Sequence, residues 1–184
     1  IVFPEGDQEK IVRAAKILVD QEVAHPVLLA RYDEVHTRLA ELGVPEGSVT
    51  VIRPTTFPDR ERYAQALHER RRREGLTLED AREQLRQPNT FGATMVALGE
   101  ADGLVSGLTG EYSDTIRPAL QAVGTAKGVK RVCGCYILVL KDRLFFLADT
   151  TVNIDPDAET LADIALLTAR FARRFDIVPR VAML

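Results

Sequence analysis

Within the first 52 residues, three short apolar runs alternate with two segments of helical period, and few folds accept that order. Ile1-Val-Phe3 reads as a buried strand, and Pro4-Glu-Gly-Asp7 as a turn whose aspartate can cap a helix. From Glu9 to Glu22, Ile11, Val12, Ala15, Ile17, Leu18 and Val19 recur at helical spacing. Pro26-Val-Leu-Leu-Ala30 is a second strand, and Asp33 to Leu42 a short helix closed by Gly43. Val49-Thr-Val-Ile52 is a third strand, stopped by Arg53-Pro54. Strands that alternate with helices imply right-handed crossovers and a parallel sheet covered on its faces. The predicted class is therefore α/β, a three-layer α/β/α arrangement with a mostly parallel sheet.

The section 59–99 is more helical and more charged. Tyr63, Ala66 and Leu67 supply an apolar stripe, and Arg70 to Arg73 form the strongest basic run. Cations at a helix end complement its dipole, and Gly75 then stops the helix, so that run reads as a solvated terminus. Thr77-Leu-Glu-Asp80 resembles a capping box with Asp in place of Glu, and Phe91 to Leu98 is a further helix. Val132 to Leu140 and Leu144 to Leu147 are two strands joined by Lys141-Asp-Arg143, a hairpin rather than a crossover. Asp155-Pro156 is predicted to cap a helix running to about Arg174, and Pro179-Arg180 to lead into a last strand. The Gly/Thr/Lys-rich stretch 124–130 divides the chain into a first unit, 1–124, and the start of a second, 125–184. The opening at Ile1 and the apolar stop at Val181-Ala-Met-Leu184 suggest a piece of a longer chain, with the second unit truncated at its C-terminus.

A net charge of -3 gives no reason to expect nucleic acid. No apolar run reaches membrane-spanning length and no secretory signal precedes the first strand, so a cytoplasmic protein without a membrane partner is expected. Cys133 and Cys135 share one face of a strand-like run, too close in register to bridge each other, and fit small core residues in a reducing compartment. His25, His36 and His68 have no carboxylate or cysteine arrangement around them, so no metal site is predicted.

Chemistry concentrates in Ala101-Asp-Gly-Leu-Val-Ser-Gly-Leu-Thr-Gly-Glu-Tyr-Ser-Asp-Thr-Ile-Arg-Pro-Ala-Leu-Gln121. An apolar run ends in Ser106-Gly107, a second glycine follows at Gly110, and Ser113, Asp114 and Thr115 precede a helical pattern carrying Arg117. A strand, a glycine loop, a helix start and an arginine fork together suit a phosphate-bearing ligand. Spacing alone is met equally by a plain strand-to-helix turn, since neither GxxxxGK[ST] nor GxGxxG occurs.

Five ordered blocks narrow the reading. Leu85-Arg-Gln-Pro-Asn-Thr-Phe-Gly92, 101–107, Asp114 to Gln121, Ala148-Asp-Thr-Thr-Val-Asn-Ile-Asp-Pro156 and Pro179 to Leu184 resemble successive blocks of the phosphate acetyl/butyryltransferase family. Gly107 to Tyr112 and Ala148 to Asn153 are most similar to the C-terminal domain of hybrid NADP-dependent malic enzymes. The resemblance implies two α/β units of isocitrate/isopropylmalate dehydrogenase-like architecture around a cleft for coenzyme A and acyl phosphate. It implies acetyl-CoA or acetyl phosphate as ligand, a malic enzyme domain in the same chain with NADP and a divalent metal there, and a homo-oligomer.

On the family pattern Arg117 and Arg86 are phosphate arginines, and Ser106, Gly107, Thr109 and Gly110 belong to the pocket loop. No catalytic residue is assigned, because the family's serine motif is expected beyond Leu184. Gly110-Glu111-Tyr112 departs from the hydroxyl-rich triplet of catalytic members. A Glu111 carboxylate facing phosphate would cost about a kcal/mol or more, unless it points to solvent or pairs with Arg117. The expected function is therefore an acetyl-CoA-binding regulatory and oligomerisation module of a malic enzyme with its transferase activity lost. The alternatives are an active phosphate acetyltransferase, and a purely structural assembly domain.

Overall fold

The computed structural model describes residues 1–184, which divide into two compact units, Ile1–Gly124 and Thr125–Leu184. The first is built on a parallel sheet of β1 (Val2–Phe3), β2 (Val27–Leu29) and β3 (Thr50–Ile52), in that order. On the other edge of β1, Leu104 bridges Val2 in parallel. The Val2 N–H donates to the Gly103 carbonyl at 2.9 Å, and the Val105 N–H donates to the Val2 carbonyl at 3.0 Å. The spatial order is thus 103–105, β1, β2, β3.

Alternation along the strands creates two separate cores, as expected for a parallel sheet buried on both faces. Phe3, Leu28 and Ala30 pack on Val12 and Ala15 of helix α1 (Glu9–Asp20) and on Val35 and Leu39 of helix α2 (Glu34–Glu41). Val2, Val27 and Leu29 face the opposite layer, formed by α3 (Arg60–Arg71), α4 (Leu78–Gln84), α5 (Pro88–Ala97) and α6 (Tyr112–Ala122). At its centre Tyr63 and Phe91 are fully buried, their ring centroids 4.8 Å apart, with Phe57 at 5.3 and 5.4 Å from them. The result is the three-layer α/β/α order read from the sequence.

Local signals behave as their chemistry requires in several places. Arg70 and Arg71 close α3, a 3₁₀ turn covers Arg72–Glu74, and Gly75 takes the left-handed conformation that ends it. Thr77 and Asp80 form the reciprocal capping box, with the Asp80 N–H donating to the Thr77 hydroxyl oxygen at 3.1 Å and the Thr77 N–H to Asp80 at 3.2 Å.

Two expected caps do not form. Asp7 does not cap α1, whose N-cap is Gln8 without a side-chain bond. Its carboxylate turns across the sheet edge and accepts the N–H groups of Arg31 (2.9 Å) and Tyr32 (3.2 Å). In the second unit the cap is Asp157, accepting from the Thr160 N–H at 2.8 Å, and not Asp155, whose positive φ places it in the preceding turn.

That second unit consists of an antiparallel hairpin, β4 (Tyr136–Leu140) and β5 (Arg143–Leu147), and helix α7 (Ala158–Arg173). Lys141-Asp142 forms the two-residue turn. Phe146, Phe171 and Phe175 pack together with centroids 5.3 to 6.0 Å apart, Phe171 edge to face with both of the others. Residues 132–135, expected in the first strand, instead wrap Asp149. Its carboxylate accepts the N–H groups of Gly134 (2.8 Å), Thr151 (2.9 Å), Val152 (3.1 Å) and Asn153 (2.7 Å). The strand expected after Pro179 is not formed. No helix is long and apolar enough to cross a membrane.

Candidate functional site

In the first unit the chain lays β1, β2 and β3 outward to one side, then returns to the other edge of β1 at 103–105. The loops leaving β1 and 103–105 therefore diverge above the sheet, which is where open parallel sheets hold ligands. A cavity of about 570 Å³ opens at that point. Pro4, Glu5, Asp7 and Gln8 wall it from the β1 turn, Pro88 to Thr90 from the first turn of α5, and Thr109 and Gly110 from the glycine loop. Ser113, Asp114, Arg117, Pro118 and Gln121 line it from α6. Their spacings of three, four and eight residues put them on one helix face.

The glycine loop is held by Glu5, two residues beyond β1. One carboxylate oxygen accepts the N–H groups of Gly107 and Leu108, both at 2.9 Å. The other accepts the Thr109 N–H at 2.6 Å and the Thr109 hydroxyl at 2.7 Å. Burial pushes the Glu5 carboxyl up, but together these donors outweigh it and hold it down to about 2. Gly107 makes the arrangement possible, because its φ of +113° belongs to the region that side chains avoid.

A second layer of bonds ties the loop to both helices. The Ser106 hydroxyl donates to Asn89 Oδ1 at 2.9 Å, and the Thr115 hydroxyl donates to Ser106 Oγ at 3.3 Å. Pro118 lies inside α6 and has no N–H for the carbonyl of Asp114 four residues earlier. The Asn89 side-chain amide donates to that carbonyl at 2.9 Å instead. The Asp114 carboxylate in turn accepts the Glu111 N–H at 3.1 Å and closes the start of α6.

The electrostatic result is a cavity whose acids are occupied and which has two arginines, Arg31 paired with Asp7 at 3.3 Å and Arg117 unpaired. Glu5, Asp7 and Asp114 each take backbone N–H groups. Arg117 is exposed to the cavity and enters no ion pair. The first turn of α5 borders the same space with N–H groups that no side chain caps and a partial positive charge, whereas the start of α6 is closed by the reciprocal Glu111–Asp114 capping box. Such a site favours an anion.

The sequence-derived candidates separate into three sets. Thr109, Gly110 and Arg117 line the cavity. Ser106 and Gly107 lie behind it, where they fix the loop rather than face the space. Arg86 is elsewhere: it pairs with Glu83 at 3.2 Å and lines a separate depression with Arg60 and Arg82. Glu111 is exposed, stands outside the cavity lining, and is not paired with Arg117. Its carboxylate accepts the Asp114 N–H in the capping box of α6. Glu5 and Asn89 were not singled out from sequence. The only signal for Glu5 was its place in the turn directly after a strand of a parallel sheet.

Comparison with known proteins adds to this geometry. Residues 1–184 match the family described as phosphate acetyl/butaryl transferase. The chain is 42% identical over 184 residues to the phosphate acetyltransferase of Nitratidesulfovibrio vulgaris, covering all of this chain and 26% of that protein. It is 41% identical over 184 residues to the phosphate acetyltransferase of Bacillus subtilis, of which it covers 57%. The crystal structure of a phosphotransacetylase from Streptococcus pyogenes superposes with a TM-score of 0.92 at 41% identity, over all of this chain and 56% of that one. The chain thus spans from about a quarter to just over half the length of these relatives.

These findings overturn the malic enzyme reading. The similarity runs through the whole chain to phosphate acetyltransferases. The regulatory role and the loss of transferase activity rested on that reading and on Glu111, and they fall with it, while the NADP and metal expected in an attached domain find no support in these relatives.

Proposed function

The chain belongs to the phosphate acetyl/butyryltransferase family, and from that membership we propose that it forms the phosphate-gripping part of a phosphate acetyltransferase. The reaction is the exchange of an acetyl group between acetyl phosphate and coenzyme A. The thiolate sulfur of CoA attacks the acetyl carbonyl, a C–S bond forms, the C–O bond to phosphate breaks, and inorganic phosphate leaves. The reverse direction starts from acetyl-CoA and phosphate.

One observation carries this reading: the unpaired Arg117 guanidinium in a cavity that the uncapped first turn of α5 also lines. An arginine fork binds phosphate through two parallel N–H···O bonds, and the helix terminus adds donors that need no reorganisation. Arg117 and the first turn of α5 hold the phosphate while charge shifts onto it as the C–O bond breaks. Glu5 does not serve as the base for the thiol, because a carboxyl held down to about 2 is too weak a proton acceptor at neutral pH.

The test is a CoA-dependent acetyl phosphate assay on the full-length protein. Wild type should turn over, and Arg117→Gln should raise KM for acetyl phosphate about 10- to 100-fold, the worth of a charge-assisted bond pair. Absence of turnover, or an unchanged KM in the variant, contradicts the assignment.

A further inference from the structure

Three consecutive backbone N–H groups converging on one point make a cup of the kind that takes a phosphate oxygen in many anion sites. At 107–109 that cup is filled by a carboxylate of the chain itself, contributed from 102 to 104 residues away. We propose that Glu5 is a positioning residue of the cavity: an internal anion that closes the 107–109 cup to ligands and fixes the loop from which α6 presents Arg117. The proposal rests on the reading of the cavity as a phosphate site.

Two features support a positioning role over a passive turn. Both carboxylate oxygens are engaged by at least two donors, one of them also by the Ser106 hydroxyl at 3.5 Å, so the group cannot rotate without breaking bonds. A glutamine amide has one acceptor oxygen and would turn its NH₂ toward an N–H. The clasp is also short of slack: Gly110 alone separates Thr109 from Glu111, the residue that starts α6. Behind it, the bonds of Ser106 to Asn89 and of Asn89 to the Asp114 carbonyl transmit any shift of the loop to the helix bearing Arg117.

The sign of the effect separates positioning from plain electrostatics. A carboxylate on the wall of a phosphate site repels the ligand, so loss of its charge alone tightens phosphate binding. Loss of positioning weakens it, since a displacement of about 1 Å is worth up to about 100-fold.

The experiment is calorimetric titration of inorganic phosphate into the full-length protein as wild type, Glu5→Gln, Glu5→Asp and Thr109→Val. Amide exchange at 107–109 is followed in the same samples. Glu5→Gln should weaken phosphate binding about tenfold or more and expose those three amides while the sheet stays protected. Glu5→Asp, which keeps the charge on a shorter arm, should fall between. Thr109→Val removes one donor to Glu5 and should weaken binding about two- to threefold. Equal or tighter binding by Glu5→Gln, or retained protection at 107–109, overturns the proposal. If Glu5→Gln does not fold, unchanged or tighter binding by Thr109→Val overturns it. Failure of wild type to bind phosphate refutes the functional reading itself, a result distinct from a variant that binds as wild type does.

Discussion

Replacing Glu5 with glutamine also makes a thermodynamic prediction, because the contribution of the carboxylate to folding depends on pH in one direction only. Its ordinary value is 4.5, and the donors of the 107–109 loop hold it down to about 2 in the fold. A carboxyl depressed by folding stabilises fully above its unfolded value and loses that contribution as pH falls through its folded value. The window here runs from pH 4.5 down to about 2. The gap is equivalent to about 3 kcal/mol, and partial solvent access reduces it to about 2 kcal/mol. Urea unfolding of wild type and Glu5→Gln at pH 7, 5 and 3.5 measures it. The variant should be less stable by about 2 kcal/mol at pH 7 and nearly as much at pH 5. By pH 3.5 the difference should narrow by about 1 kcal/mol, as the unfolded wild-type chain takes up the proton. A difference that stays constant from pH 7 to 3.5, or none at pH 7, refutes the reasoning.

Two further outcomes test the scaffold. A methyl group at Gly6 would lie 2.8 Å from the Leu29 carbonyl oxygen and 2.9 Å from Leu28 Cβ, and the sheet cannot yield there. Gly6→Ala should therefore cost about 3 kcal/mol, read as a lower midpoint in urea. Phe91 is fully buried against Tyr63 and Phe57 on the helix whose first turn lines the cavity. Phe91→Ala should cost about 3–5 kcal/mol, and Phe91→Leu should recover much of it in the same unfolding assay.

The sheet was legible because Val2, Phe3 and Val27 to Ala30 are buried on both faces, so each strand appears as an unbroken apolar run. The hairpin was legible for the opposite reason, three polar residues, Lys141-Asp-Arg143, between two apolar runs, although Arg143 belongs to β5 and pairs with Leu140. Capping was half legible: Thr77 and Asp80 satisfy each other within one turn, whereas Asp7 found better donors across the sheet edge at Arg31 and Tyr32. Arg117 could be identified from its place behind a glycine loop. Glu5 could not, since its partners are more than a hundred residues away and no local period encodes them. Glu111 misled because its position in the chain is next to the site while its side chain is not part of the lining. Pattern assigns a residue to a helix start, but not the direction in which its carboxylate points.

The return of the chain to β1 has a consequence for the order in which the protein acquires its properties. β1 is made well before its second neighbour, a segment about a hundred residues later. Closing a loop of that length is slow compared with local helix formation. During synthesis Glu5 therefore waits with an unclaimed charge until 107–109 emerge. The cavity acquires its unpaired arginine only when Arg117 follows. Competence to bind should appear abruptly, late in the making of the first unit, and a nascent chain cut short of α6 should hold a partial sheet and no ligand.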